Sequence, residues 1–346
     1  MNLSRLAGLV RHRSPGGPPR DSTGPTHHEA NPVRPDALSE FRLFAIVKTW
    51  MDEDVIYATV RNAFVQGAEA VFVVDNGSTD ATLRRAQDAG ATVAEVFDTT
   101  GFDGPMAQTL MNAVVARESL RSGAEHVWWL YLDSDEFPEG PEGMSIVDYL
   151  ATLDRGFRVV GSACVNHLPD QKPEYLPGFH PIDFQPLCYK FHPSWTSICG
   201  QDHWKHPLQR FDRSAHFIVS RAGSHWAICP QPLVEPSGGI VTHHFQYRNE
   251  ALTRAKLQLT CGPGSRRTAL YGADGADGFS RRCRSLDAVY SQKWDDVEIE
   301  VDRTLAASGE LRPWPSMVNI RRWYSLSDLD AARNPLINDS TATETA

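Results

Sequence analysis

Asp133 and Asp135 stand one residue apart at the end of the apolar run Trp128-Trp-Leu-Tyr-Leu132. Two carboxylates so spaced can converge on one divalent cation. Hard oxygen ligands suit Mg²⁺ or Mn²⁺, which leave coordination positions open for phosphate oxygens. Asp75 opens a second polar cluster, Asp75-Asn-Gly-Ser-Thr-Asp80, directly after the apolar Ala70-Val-Phe-Val-Val74. Its carboxylate can accept hydrogen bonds from a base or a ribose. Gly77 allows a positive φ and a close backbone approach, and Ser78 and Thr79 can cap a following helix. Asp52 and Glu53 form a third acidic point, after the run Phe41 to Val47. Turn and cap chemistry is the plain alternative at each cluster.

The middle of the chain concentrates aromatic, histidine and acidic side chains, from Tyr175 to Phe184 and from Trp195 to His206. Aromatic faces beside polar groups suit sugar-like acceptors. His203 and His206 raise the question of zinc, but no cysteine or third histidine has a zinc-site spacing. The glycine spacing of a phosphate or dinucleotide loop is absent, as is a Gly-x-Ser-x-Gly elbow. None of the six cysteines sits in a recognisable nucleophile setting.

The elements that must position these groups follow an alternating pattern. Phe41–Val47, Ala70–Val74, Ala91–Phe97 and His126–Leu132 are short apolar runs of strand type. Helical spacing joins them over Asp52–Gln66, Ala81–Ala89 and Met106–Ser122, with Gly67 and Gly90 as stops. This alternation predicts a mixed, mostly parallel α/β sheet flanked by helices. Ligands bind outside the carboxyl ends of such strands, which is where all three acidic clusters fall. Beyond residue 140 the pattern predicts a helix at Ser145–Leu153, strands at Val159–His167, Ile218–Arg221 and Ile240–Tyr247, and helices at Glu250–Leu259 and Ser285–Glu300. Residues 168 to 210 read as long loops.

The chain has 346 residues and a formal net charge of -9, an acidic balance that argues against a nucleic-acid partner. The expected organisation is a loosely attached, Pro-rich tail over 1–38, an α/β domain over 39–260, a mostly helical extension over 261–335, and a tail over 336–346. Met1–Val10 lacks a long apolar core, and no stretch approaches the roughly 18 apolar residues of a spanning helix. Scattered cysteines without a CxxC pair read as reduced thiols. The expectation is a cytoplasmic protein with no transmembrane segment. Its basic tail (Arg5, Arg11, Arg13, Arg20, Arg34) is a solvated arm or one that docks peripherally at a membrane.

Val73-Val-Asp-Asn-Gly-Ser-Thr-Asp80, then Gln108 and Asn112 on a helix, then Leu130-Tyr-Leu-Asp-Ser-Asp-Glu-Phe137 resemble a family 2 type glycosyltransferase of the GT-A fold. His244-Phe-Gln-Tyr-Arg-Asn249 and Lys256 resemble that variant's later H-[YF]-x-x-[RK]-[SN] motif and its lysine. The resemblance covers residues 42–140 well and 240–260 moderately. It implies that Asp75 holds the base of a nucleotide sugar, and that Asp52, Asn76 and Gln108 belong to the donor site. It further implies that Asp133 contacts the ribose or a metal-bound water, and that Asp135 binds the metal, Mn²⁺ or Mg²⁺. An Asn-Glu pair is usual after the first strand, where this chain has Thr49-Trp-Met-Asp-Glu53.

Alternation along Ile240–Tyr247 puts His243 on a core face with Val241, Phe245 and Tyr247. His244 lies on the more polar face, where it can complete the metal site or contact the diphosphate. His225 is a weaker candidate for that role. An inverting transferase needs a carboxylate base for the acceptor hydroxyl. Asp202 is the choice, since its position after the metal motif resembles the family's, and Asp183 is the alternative.

The expected function is metal-dependent transfer of a sugar, with inversion. The donor is a nucleotide-diphosphate sugar, a UDP-sugar first. The acceptor hydroxyl sits on a glycan, lipid or small molecule. Two rivals stand beside it. A non-catalytic nucleotide-sugar or glycan binding module need not keep the acid pair. A nucleotidyltransferase usually carries a glycine-rich loop after the first strand, and Val47–Asp52 has no glycine.

Overall fold

The computed structural model describes residues 41–99, 101–167, 169, 176–189, 204–213, 219–221, 226–228, 239–262, 283, 286–287, 290–291, 311–313 and 320–334. All belong to one compact unit, Arg34–Ala346. Both expected tails, Asp202, His203, His225 and most of the expected 285–300 helix lie outside the described residues.

Strands β1 (Arg42–Thr49), β2 (Ala70–Asp75), β3 (Thr92–Val96) and β4 (His126–Asp133) form the parallel heart of the sheet. Helices α1 (Ile56–Val65), α2 (Thr82–Asp88) and α3 (Gly104–Ser122) connect them. β1 and β4 are apolar without a break because helices cover both faces. Leu43, Ala45 and Val47 share one face with Trp128, Leu130 and Leu132, packed on α1 and on α4 (Ile146–Thr152). Phe44 and Ile46 share the other with Trp129 and Tyr131, packed on Met111, Val114 and Val115 of α3. Continued to the carboxyl edge, this alternation pairs Lys48 with Asp133 on the α3 face. Gly67 turns the chain from α1 into β2 with φ 96°, and a Cβ there would lie 2.2 Å from Val147 on α4.

The sheet continues through β8 (Trp204–Asp212), β6 (Val159–Asn166), β11 (Ile240–His244) and β5 (Glu136–Glu139), in the order β3-β2-β1-β4-β8-β6-β11-β5. Only β8 and β5 run against the rest, so the sheet is mixed and mostly parallel as expected. Two small antiparallel pairs complete the set: β9 (Val219–Arg221) with β10 (Trp226–Ile228), and β7 (Leu187–Tyr189) with β12 (Leu311–Pro313).

Residues 204–210, expected as loop, belong to a central strand, Trp204–Asp212. Its sequence hides it because buried polar groups replace the usual apolar alternation. Arg210 pairs with Asp212, which also meets Arg158 and His126. Pro207 falls where the pairing with β6 shifts register and beyond the last pair with β4, so its missing N–H breaks no ladder. The extension over 261–335 is not purely helical among its described residues. It contributes β12 as well as α6 (Leu326–Arg333), which starts on a Ser325 capping box. α5 (Glu250–Cys261) follows β11, which ends at His244 rather than at Tyr247.

One connection shapes the site. Only Ser134 and Asp135 join β4 to β5, although three strands lie between them in the sheet. Four strand spacings would span about 19 Å in a flat sheet, whereas three Cα steps reach about 11 Å at most. The sheet therefore curls back so that its β5 edge returns to the carboxyl end of β4. The Phe245 N–H donates to the Asp135 carbonyl at 2.9 Å. Thr59 on α1 donates to the Ser134 carbonyl, and Asn62 donates to that of Pro138 at 3.0 Å.

Candidate active site

Four segments meet at this edge. β1 runs out into Lys48, Thr49, Trp50 and Asp52, β4 into Asp133, Ser134 and Asp135, α5 brings Lys256, and the turn before α3 brings Phe102. Together they line a cleft of about 240 Å³. The rings of Trp50 and Phe102 lie nearly parallel, 6.2 Å apart.

Asp52 is the buried hub beneath the cleft. It accepts from Ser134 Oγ at 2.6 Å, Thr49 Oγ1 at 3.1 Å, the Trp50 N–H at 3.1 Å and Arg248 Nη2 at 3.1 Å, and it pairs with Lys256. Burial alone would raise its carboxyl, but Lys256 and Arg248 override that and hold it below the ordinary carboxylate range. Arg248 also binds Asp54 at 2.8 Å, and so ties α5's leading loop to the start of α1.

Asp133 pairs with Lys48 at 2.7 Å and lies 3.5 Å from Lys205 of β8. Burial opposes its charge, and the two lysines lower its carboxyl in spite of it. Lys205 is also paired with the buried Glu136. Burial raises the Glu136 carboxyl, with Lys205 pulling the other way.

Asp135 is the acid with oxygens to spare. Its nearest cations are Arg248 Nη1 at 3.5 Å and His244 Nε2 at 3.6 Å, and its side chain is 23% exposed. Burial would raise it, but His244 and Arg248 hold it far below the ordinary range. Burial in turn disfavours protonated His244, and Asp135 outweighs it and keeps the imidazole charged above its usual pH. His244 Nδ1 meets Asn166 Oδ1 at 2.8 Å, which orients the ring. Among the described residues no group of three or more His, Cys, Asp or Glu side chains stands where it could hold a metal ion. Asp133, Asp135 and His244 are donor types that suit a hard cation, but they are paired with Lys48, Arg248 and one another rather than arranged around one.

Asp75, Asn76 and Gln108 sit behind the cleft rather than on its wall. Asp75 is fully buried and accepts from the Ser78 N–H at 2.8 Å and Ser78 Oγ at 2.6 Å. Burial raises its carboxyl, partly offset by those Ser78 bonds. Asn76 donates to Thr99 Oγ1 at 2.9 Å and accepts from the Asp103 N–H at 2.7 Å, which pins the turn carrying Phe102. Gln108 is 6% exposed, and neither amide atom has a hydrogen-bond partner among the described residues. It lies one turn along α3 from Asn112, which binds the Tyr131 hydroxyl at 3.1 Å. Asp183 is taken up by Arg322 at 2.8 Å and by the Tyr324 hydroxyl, and it does not line the cleft. His243, on the core face as expected, is 1% exposed and bonded to His167 Nε2 at 2.8 Å.

Lys48, Trp50, Phe102 and Lys205 were invisible as site residues. Lys48 carried a weak signal, a lone cation ending an apolar strand. Phe102 and Lys205 reach the site from segments with no motif of their own.

No helix among the described residues is long and apolar enough to cross a membrane. No protein-family model matches the chain, and no curated protein matches it. Among solved structures it is similar to glucosyl-3-phosphoglycerate synthase from Mycobacterium tuberculosis, in complex with Mn²⁺, UDP and glucosyl-3-phosphoglycerate. The identity is 18% and the TM-score 0.26, over 37% of this chain and 46% of that one. Mannosyl-3-phosphoglycerate synthase from Rubrobacter xylanophilus is similar at 18% identity and TM-score 0.25, over 40% of this chain and 46% of that one. A mycobacterial protein of known structure is similar at 22% identity and TM-score 0.25, over 38% and 43%. The chain thus spans less than half the length of the solved structures it matches, and likenesses this partial carry nothing about substrate.

Proposed function

We propose that the cleft is the active site of a GT-A-like glycosyltransferase. It moves a sugar from a nucleotide-diphosphate donor, a UDP-sugar first, to an acceptor hydroxyl. The observation that supports this is the meeting of Asp133 and Asp135 with two lysines and an aromatic pair at one carboxyl edge. Trp50 and Phe102 offer ring faces to a base. Lys48 and Lys256 present cations to diphosphate oxygens. Asp135, Asp133 and His244 would hold Mn²⁺ or Mg²⁺, which supplies Lewis-acid stabilisation of the departing diphosphate. As a ligand His244 would have to be neutral, and Lys48 would have to release Asp133 toward the phosphates.

The test is thermal stability of the full chain with UDP, GDP, dTDP or CDP, each with and without Mn²⁺. One nucleotide at about 100 times its Kd is expected to stabilise the protein by about 2.7 kcal/mol, only with metal. Silence with all four would overturn the reading. Binding without any sugar transfer would favour the non-catalytic module instead.

For the acceptor proton we propose Asp202, two residues ahead of β8 and its Lys205, with inversion at the sugar carbon. Asp202→Asn is expected to lower kcat by about 10²–10⁴-fold and to leave metal-dependent nucleotide binding as it is. Full turnover in that variant would remove Asp202 from the mechanism.

A further inference from the structure

A second cavity, of about 490 Å³, opens between α1, α2, the turn at 177–179 and the segment leading into α6. It shares no lining residue with the cleft. One wall is aromatic: Tyr57, Phe179, Trp323 and Tyr324, each half-buried. The rings are fixed edge to face, Phe179 to Tyr324 at 4.7 Å and Trp323 to Tyr324 at 5.3 Å. The polar tips of Trp323 and Tyr324 are already used. Trp323 Nε1 donates to the Gly178 carbonyl at 2.8 Å. The Tyr324 hydroxyl donates to Asp183 and accepts from the His180 N–H at 2.7 Å. What remains toward the cavity is ring surface held rigidly, the kind of wall on which the C–H face of a sugar packs without an ordering cost.

Arg84 and Arg85 of α2 also line the cavity, and neither side chain forms an ion pair or hydrogen bond among the described residues. Arg85 Nε is buried without a partner. Arg42, Arg117, Arg210, Arg248 and Arg322 all meet carboxylates. Two acids also line the cavity. Asp328 is committed to Ser325 at the start of α6, at 2.7 and 2.9 Å, and Asp88 is exposed at the end of α2. A buried guanidinium N–H without an acceptor is destabilising. A bound anion would remove that cost, and paired guanidinium forks are matched to phosphate and carboxylate oxygens.

We propose that this cavity is a binding site for an anionic sugar, its ring on the aromatic wall and its phosphate or carboxylate between Arg84 and Arg85. The site is separate from the cleft and does not depend on the transferase reading.

Calorimetric titration of the full chain with glucose 6-phosphate and with glucuronate tests it, with glucose and inorganic phosphate as controls. At least one of the two anionic sugars is expected to bind more tightly than either control. Arg84→Gln/Arg85→Gln is expected to weaken that binding about tenfold or more, and to leave any metal-dependent binding of UDP unchanged. The proposal is overturned if neither anionic sugar binds below about 10 mM, or if a control binds as tightly. It is equally overturned if the double variant binds as the parent does, or if UDP with Mn²⁺ competes the sugar off. Should the double variant fail to fold, Arg84→Gln alone carries the test, since Arg84 is exposed.

Discussion

Asp135→Asn is expected to lower sugar transfer by about 10³-fold or more while the protein stays folded. A thousandfold corresponds to about 4 kcal/mol of transition-state stabilisation, within what a metal ion supplies at a departing diphosphate. The fold is expected to tolerate the change because of how Asp135 is held. Its cation contacts are long, 3.5 and 3.6 Å, and its side chain is 23% exposed. Arg248 keeps Asp52 and Asp54 as partners. His244 owes its charge chiefly to Asp135 acting against burial, so it can simply become neutral. Transfer rate at saturating Mn²⁺, metal-dependent nucleotide binding and the thermal midpoint together decide the matter. Activity within tenfold of the parent in a folded variant would count against a metal role for Asp135.

Asp52→Asn is expected to do the opposite, costing about 3–5 kcal/mol of stability, because it leaves buried Arg248 and half-buried Lys256 short of their shared anion. Adding Lys256→Met should recover part of that loss, since one stranded charge goes with it. The sign of the pH dependence follows from the lowered carboxyl. The unfolded chain binds this proton near pH 3.8, the folded one only at lower pH. The stabilisation is therefore complete above about pH 3.8 and fades as pH falls toward the folded value. Urea unfolding from pH 7 down to pH 3 reads both effects. The parent should lose stability more steeply than the variant below pH 4. A variant within about 1 kcal/mol of the parent at pH 7 would show that Asp52 is not the hub the contacts describe.

The first half of the fold was legible because its code is local. Unbroken apolar strands, helical periodicity and glycine stops recur between residues 41 and 133, and observed boundaries follow them within a few residues. β8 was not legible, since Lys205, Gln209, Arg210 and Asp212 are buried by pairing rather than by apolarity. β5 was hidden too, because Glu136 and Glu139 are buried acids on a short edge strand, facing Lys205 and His243 from distant segments. The site shows the same division. Asp52, Asp133, Asp135 and Lys256 stood out through motif and position. Trp50, Phe102 and Lys48 carry no pattern, because a cleft wall is set by tertiary approach and not by spacing. Asp75 and Asn76, singled out for the donor, are engaged in holding the turns around it.

The two-residue link between β4 and β5 has a kinetic consequence. Asp133 and Asp135 are neighbours in the chain, yet β5 is anchored by β11, more than a hundred residues further on. Pairings of such sequence separation close late, after their loop entropy has been met. The parallel β1–β4 core can collapse early, but it does so with the acid pair unsupported on one side. On refolding, recovery of metal-dependent nucleotide binding should therefore lag the return of far-ultraviolet ellipticity. Simultaneous recovery would mean that β11 docks in the rate-limiting step itself. In either order, a chain stalled before residue 244 has been placed can be largely folded and still lack the completed cleft.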